Sequence, residues 1–535
     1  MKLKTFLKQI KQNNLSLDTV QLSLQLNGNV KKLLAALNDE ANVGCKDITE
    51  LDLSGSHLTS NDIEALVKAL NKLPNIKTLR LDHCAITDDH TSRHLVELEH
   101  VTSLSLKGNL LGKRPAFNKD LKALYLDDNP QLNIKAALLR FSTYAKKLEI
   151  LSLNKCNVQD EDLIFLMRPG SHLKTLKQLH LHENKLSSIG THSLKEMSLL
   201  EVLDLGQNNQ IGDFGVSELQ CPALQTLNIE GCNVSPNVFS SLEAMVKLRT
   251  LNLSYNPALK LYDLGSDTNP LEQIRKVKLN FCRLTDKNVS SLIALFPNLT
   301  HLEIANNQLT QSGVEDFLLV SKHLRVLDVS TNHLYTLLSA KNPKAHKSIA
   351  AEKAKIEDFF VSVSQAKGLT HINLSGTGLT DDILPRLIPA EGSARKLRMI
   401  NGIRCTELKE ALEQRREARK NAEAVTLSSP AGDVIEIAAK KPSKNMQIKA
   451  LKAQVKHLES ELAKAKATIT QLQGAKISEV PYEKGRVLKQ VAQLETKVSA
   501  QGIFASTAAK SRKRDAASEA AVITSIASSS TDYRS

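Results

Sequence analysis

The feature that most constrains this chain is a repeat. Ile48, Leu51, Leu53, Ser56 and Leu58 mark a pattern, LxxLxLxx(N/C)xL, that returns all along the sequence. Its central pair recurs as Leu79/Leu81, Leu104/Leu106, Leu124/Leu126, Leu151/Leu153, Leu179/Leu181 and Leu203/Leu205. It continues as Leu227/Ile229, Leu251/Leu253, Val277/Leu279, Leu302/Ile304, Leu327/Val329 and Ile372/Leu374. With Leu51/Leu53 that makes thirteen registered units; Leu22/Leu24 looks like a degenerate unit in front and Leu397/Ile400 like a partial one behind. Alternation at LxL turns both apolar side chains of a short strand one way and the residue between them the other. One such turn cannot bury its apolar face alone, so the units must stack.

The ninth position holds Asn at 109, 129, 184, 208, 256, 307 and 332, Cys at 84, 156, 232 and 282, and Ser56 or Thr377 at the ends. A side chain turned inward there must satisfy backbone groups, because each orphan costs about 1–3 kcal/mol. Asn can donate and accept, and Cys is a compact weak donor, so four of the seven cysteines read as structural. A second element follows the motif. Ile63, Leu66, Val67 and Leu70, and again Val289, Leu292, Ile293 and Phe296, have the spacing of a core-facing helical stripe.

On these residues the chain resembles the leucine-rich-repeat superfamily, and within it the long, helix-containing type similar to ribonuclease inhibitor, with its mixed Asn and Cys at position nine. The resemblance covers roughly positions 20 to 405. It implies an α/β solenoid: a curved horseshoe with parallel strands on the concave side and helices on the convex side. It does not name a ligand.

Three stretches depart from the repeat. From Leu327 to Ile372 there are 45 residues, and the excess at 335–367 holds a basic loop, Lys341 to Lys347, and a helix with Ile356, Phe359, Phe360 and Val363 on one face. The helix reads as convex and its two phenylalanines as core; the loop is either a spacer or a partner contact. Leu104 to Leu124 is only 20 residues and contains Pro115, so that unit should lack a helix. Pro257 to Glu272 is also irregular.

The expected organisation is a cap and degenerate repeat at 1–47, the solenoid at 48–405, a capping helix at 406–424 and a linker at 425–445. A coiled coil at 446–499 and a tail at 500–535 follow. Ile448, Val455, Leu462 and Ile469 fall at a, with Leu451, Leu458, Ala465 and Leu472 at d. Branched residues at a with Leu at d favour a parallel homodimer; the alternative is an amphipathic helix packed on the solenoid. Gly474 and Pro481 interrupt the heptads. The Ala/Ser-rich tail cannot build a core, and its basic cluster at 510–514 could serve nuclear import or nucleic-acid contact.

Charge divides the same way. Residues 401–535 carry 24 Lys/Arg against 15 Asp/Glu, while the rest of the chain, with 47 against 42, is nearly balanced. Seven cysteines without a CxxC pair argue against a disulfide framework. The basic start lacks the apolar core of a signal peptide, and no apolar run approaches the roughly 18 residues that span a bilayer. A soluble, cytoplasmic chain is expected.

A search for chemistry returns little. Gly108 to Arg114 is one residue short of a phosphate loop and lacks its Ser/Thr. His182-Glu183 has no second His four residues on. Cys45-x-Asp47 is the one Cys-x-Asp triplet. It resembles the nucleophile motif of bacterial leucine-rich-repeat ubiquitin ligases, but it precedes the repeats instead of following them. His180, His182 and Asp204 share a face, yet a third close metal ligand is not evident. The reading is a chain that is not an enzyme and needs no cofactor or metal.

Its expected work is protein binding through outward strand positions: Asp52, Arg80, Tyr125, Asp127, His180, His182, Asp204, Glu230, Lys278, Asn280, Glu303 and Asp328. Their mixed charge makes nucleic acid an unlikely partner for this face. Repeats with a coiled coil resemble, in architecture, the leucine-rich-repeat/coiled-coil effectors that intracellular bacteria deliver into host cytosol. That implies a virulence role; the alternatives are an endogenous regulatory or cytoskeletal scaffold, or a nucleic-acid-associated protein using the basic C-terminal region.

Overall fold

The computed structural model describes residues 6–7, 21–23 and 29–417, except 40–42, 167, 260, 262–268, 336–345, 380–383, 390–395, 412 and 415–416. The chain divides into two units, Met1–Glu423 and Ala424–Ser535, and every described residue lies in the first. The heptad seam from Ile448 to Leu472, the tail and the cluster at 510–514 therefore fall outside the described residues, as does most of the basic loop at 341–347.

Sixteen short strands form one sheet whose spatial order is their order along the chain. Each of the thirteen LxL units supplies a three-residue strand, from Glu50–Asp52 to His371–Asn373. All pair in parallel with leucine beside leucine: Leu51 beside Leu79, Leu179 beside Leu203, Leu327 beside Ile372. The degenerate unit in front is a strand too, Gln21–Ser23, in register with Glu50–Asp52. The motif leucines are essentially inaccessible and form one continuous column with the convex-side apolar residues. At about 25 cal/mol per Å² of apolar area, that column is the main stabilising term.

The strands are short because the chain turns at a fixed place. The residue before the ninth position has positive φ in all thirteen turns, from Gly55 (+73°) through Lys155 (+56°) and Phe281 (+58°) to Gly376 (+70°). Only four of these residues are glycines; the others bear side chains, at about 1–2 kcal/mol each. The conformation persists because its N–H reaches the next turn, as from Lys155 to the His182 carbonyl at 2.9 Å and from Tyr255 to the Asn280 carbonyl at 2.8 Å.

Asn and Cys at the ninth position do what their chemistry requires, whereas the buried Ser56 hydroxyl in the first turn has no hydrogen-bond partner. Asn307 Oδ1 accepts from the N–H groups of Cys282 and Leu284, both at 3.0 Å, while its Nδ2 donates to the Leu279 and Ile304 carbonyls at 2.8 and 2.9 Å. Asn109 makes the same pattern with Cys84, Ile86 and Leu81. Each cysteine thiol at this position donates to a carbonyl of the turn before it: Cys84 to Leu53, Cys156 to Leu126, Cys232 to Leu205 and Cys282 to Leu253.

The convex side is less regular. Ser60–Leu70 buries Ile63, Leu66, Val67 and Leu70 as the spacing predicts, and a Thr59 capping box with Asp62 starts the helix. The second stripe is cut short: Val289–Leu295 ends before Phe296, which is nevertheless buried edge-on against Phe239. No helix occurs among the described residues between Leu104 and Leu124, as Pro115 suggested. In the long unit, His346–Gln365 is one helix. Phe359 and Val363 are buried, but Phe360 is only half-buried, beneath the Arg386 guanidinium at 5.1 Å. Neighbours on a helix point about 100° apart, so both phenylalanines could not enter the core. At the far end Met399–Ile400 turns through Asn401 and Gly402 into an antiparallel strand, Ile403–Arg404. The parallel run thus ends on a hairpin that the repeat does not announce.

Candidate functional site

Outward strand residues form rows across the sheet, two per turn, and each candidate residue lies in one of them. Register sets His180 directly beside Asp204, and Tyr125 beside Ser152. Few of these groups are idle. Arg80 Nε meets Glu50 Oε1 at 2.8 Å, and Lys278 Nζ meets Glu303 Oε2 at 3.0 Å. Lys107 Nζ sits 2.7 Å from Asp127 and 5.1 Å from the centre of the Tyr125 ring. Asp127 also accepts from Ser152 Oγ and from the Asn154 N–H, and it is buried. It serves the sheet more than it faces solvent.

A row of carboxylates and amides continues the pattern. Asn228 Nδ2 donates to Asp204 at 2.7 Å, Asn252 Nδ2 to Glu230 at 2.9 Å, and Asn373 Nδ2 to Asp328 at 2.9 Å. Asn280 Oδ1 accepts from the Ala305 N–H at 2.7 Å. Asp52 Oδ1 likewise accepts from the Ser54 N–H, at 2.9 Å. The sequence reading did not single out Asn228, Asn252 or Asn373, although each stands between two core apolar residues, where Asp204 and Asp328 do in their own turns.

Asp204 is engaged as heavily as Asp127, with three partners. It accepts from the Gly206 N–H at 3.0 Å and lies 3.7 Å from His182 Nδ1. Asp204 raises His182 above the ordinary histidine range. Burial pushes the Asp204 carboxyl up, but His182, the Gly206 N–H and the charge of His180 outweigh it and hold it low. His180 is driven down, chiefly by burial. Two histidines two residues apart are therefore shifted in opposite directions, His182 up by its contact with Asp204 and His180 down by burial.

The same face carries an aromatic pair that sequence reasoning missed. Tyr255 and Phe281 stack with ring centres 4.4 Å apart and planes 16° from parallel. They are 46% and 41% exposed, at the strand ends and in the left-handed conformation. Bulky residues with positive φ are genuine outliers. Both stand one residue before a ninth position, at 256 and 282, and that shared place was the available signal.

Nucleophiles are withdrawn from this surface. Burial pushes the thiols of Cys84, Cys45 and Cys221 up to about 11 and those of Cys156, Cys232 and Cys282 to about 12. Among the described residues no three His, Cys, Asp or Glu side chains converge as metal ligands, and no helix is long and apolar enough to cross a membrane.

The registered parallel sheet, the Asn and Cys ladder inside it and the variable convex side define a leucine-rich-repeat solenoid, similar to the ribonuclease-inhibitor-like type. A leucine-rich-repeat family model matches residues 174–234, and a second matches 144–167 and 297–318. Human NACHT, LRR and PYD domains-containing protein 14 is 27% identical over 292 residues, covering 50% of this chain and 23% of that protein. Mouse ribonuclease inhibitor is 24% identical over 307 residues, covering 52% of this chain and 59% of the inhibitor. The chain thus spans less than two thirds of either relative. A solved internalin from Listeria monocytogenes shares 20% identity, covering 60% of this chain and 92% of the internalin, at a TM-score of 0.36.

Proposed function

We propose that this chain is a non-enzymatic protein-binding scaffold that holds its partner on the outward face of the strands. One observation carries this reading. Polar side chains of the outward rows are held in hydrogen-bonded pairs between turns, and the exposed Tyr255–Phe281 stack follows the ends of two of the same strands. Rigid aromatic anchors within a pre-organised polar field are what a specific protein interface needs, because little side-chain entropy remains to be lost on docking. Arg80, Tyr125, His180, His182, Lys278 and Glu303 complete the surface, while Asp127, Asp204, Glu230, Asn280 and Asp328 hold it in shape. The test is capture of a cell-lysate partner by the full chain and by a Tyr125→Ala, Tyr255→Ala, Phe281→Ala variant with an unchanged unfolding midpoint. Loss of capture supports this face; retained capture moves the site to the convex side or to residues 424–535.

A finer reading is that the chain acts as an effector inside a host cell, which the combination of repeats and heptads supports. Its test compares delivery of a reporter fused to the full chain with delivery of one lacking 524–535. Equal delivery would favour an endogenous scaffold.

A further inference from the structure

The residue just before each strand accepts two N–H groups from the next turn, so these residues form a single file along the strand-start edge of the sheet. From Thr49 to Gln225 the file is mixed: Thr49, Lys77, Thr102, Lys122, Glu149, Lys177, Glu201, Gln225. There Lys177 is paired with Glu149 at 2.9 Å. Beyond Gln225 its character changes to Arg249, Arg275, Thr300, Arg325, Thr370 and Arg398. No carboxylate remains in that half.

The two threonine hydroxyls are turned back onto the Arg275 and Arg325 carbonyls at 3.0 and 2.9 Å, leaving the guanidiniums as the outward chemistry. Lys322, His323 and Lys396 stand beside them, and together they line a groove of about 600 Å³. Among the described residues none of Arg275, Lys322, Arg325, Lys396 and Arg398 forms an ion pair, whereas Arg80, Lys107, Lys177 and Lys278 on the same sheet all do. Arg275 is held in place by the Glu272 and Ile274 backbone carbonyls, which position it without neutralising it. His301, on the next strand position inward, is pushed down first by burial and then by the charges of Lys276, His371 and Arg325.

We propose that this groove binds an acidic polypeptide segment of a protein partner, in extended form. Strands stack about 4.8 Å apart, so Arg275, Arg325 and Arg398, on alternate strands, are spaced roughly 10 Å apart over about 20 Å. That length exceeds a single phosphate or small dicarboxylate, and carboxylates three residues apart on a polyproline-II-like extended chain, at about 3.1 Å per residue and three residues per turn, share one side and match the spacing. Clusters of unpaired arginines are the usual receptors for such motifs. A nucleic-acid strand fits less well, because the groove presents no Phe, Tyr or Trp on which bases could stack. This inference does not depend on the aromatic face described above.

The experiment is fluorescence anisotropy of a labelled glutamate peptide of about seven residues, roughly the groove's length, with the full chain at low salt. An Arg275→Gln, Arg325→Gln, Arg398→Gln variant should bind about tenfold more weakly or worse. A Lys77→Gln, Lys122→Gln control at the mixed end of the file should bind as the parent does. The variant lacking Tyr125, Tyr255 and Phe281 should also keep peptide binding, so failure of one face is told apart from failure of the other. Three outcomes would each overturn the proposal: undiminished binding by the arginine variant, equal loss in the lysine control, or displacement of the peptide by an oligouridylate of matching length at lower concentration than by unlabelled peptide.

Discussion

Asn307 shows how much a single side chain carries here. Its Oδ1 accepts two N–H groups, and its two N–H donors are shared among three carbonyls, the third that of Ala305 at 3.1 Å. Asn307→Ala strips partners from several buried backbone groups at once, and a loss of roughly 2–4 kcal/mol in urea unfolding is expected. Cys282→Ala removes one weak donor, with an expected loss of about 1 kcal/mol. The histidine pair supplies a second prediction. His182 has a raised value in the folded chain, so its contribution is fully present below its unfolded value of about 6.5 and fades as pH rises through the raised folded one. His180 has the opposite sign: its contribution is present above about 6.5 and is lost as pH falls through its lowered folded value. His182→Gln should therefore lower the unfolding midpoint more at pH 5.5–6 (about one unit below neutral) than at pH 8. An equal loss at both pH values would show that the Asp204 contact does not couple to protonation.

At the scale of elements, the repeat divides labour between a uniform inner strand and an outer segment free to vary. Strand, left-handed turn and inward ladder position recur at fixed places across thirteen turns, while the outer segment ranges from no helix near Pro115 to the twenty residues of His346–Gln365. The long helix is anchored by Phe359, packed edge-on to Tyr335 with ring centres 6.1 Å apart. Phe359→Ala should cost roughly 3–5 kcal/mol, measured as a shifted denaturation midpoint. Phe360→Ala should cost less, about 1–2 kcal/mol, because its ring is only half-buried against the core and adds a cation–π contact with Arg386. Similar losses for the two would mean that Phe360 contributes to the core.

For the whole molecule, two faces of one sheet differ in kind. Outward strand rows are polar and internally paired, while the strand-start edge in the second half is cationic and unpaired. A scaffold with both can grip a folded surface and an acidic segment together, and effective concentration then raises overall affinity beyond either contact. Dimerisation through the heptads at 446–472 would double that effect. Leu458→Pro should halve the mass measured by light scattering. A parent chain already monomeric at micromolar concentration would instead favour a helix that does not pair with a second copy.

How much of this was legible in the residues follows from what each feature depends on. Strands, register and ladder are set by side chains whose periodicity is local, so Leu51/Leu53 and Asn109 could be recognised from spacing alone. The outward rows were legible as positions, because a residue between two core leucines must face out. What those residues do was not, since most of their side-chain bonds join neighbouring turns, from 20 residues apart for Lys107–Asp127 to 45 for Asn373–Asp328. Asp127 is buried by Lys107 and Ser152, Asp204 is shared between His182 and Asn228, and neither fact has a local signature. The Tyr255–Phe281 stack and the file of Arg275, Arg325 and Arg398 likewise exist only once strands lie about 4.8 Å apart. Local periodicity determined the solenoid; stacking alone decided which of its surface groups are satisfied and which remain open to a partner.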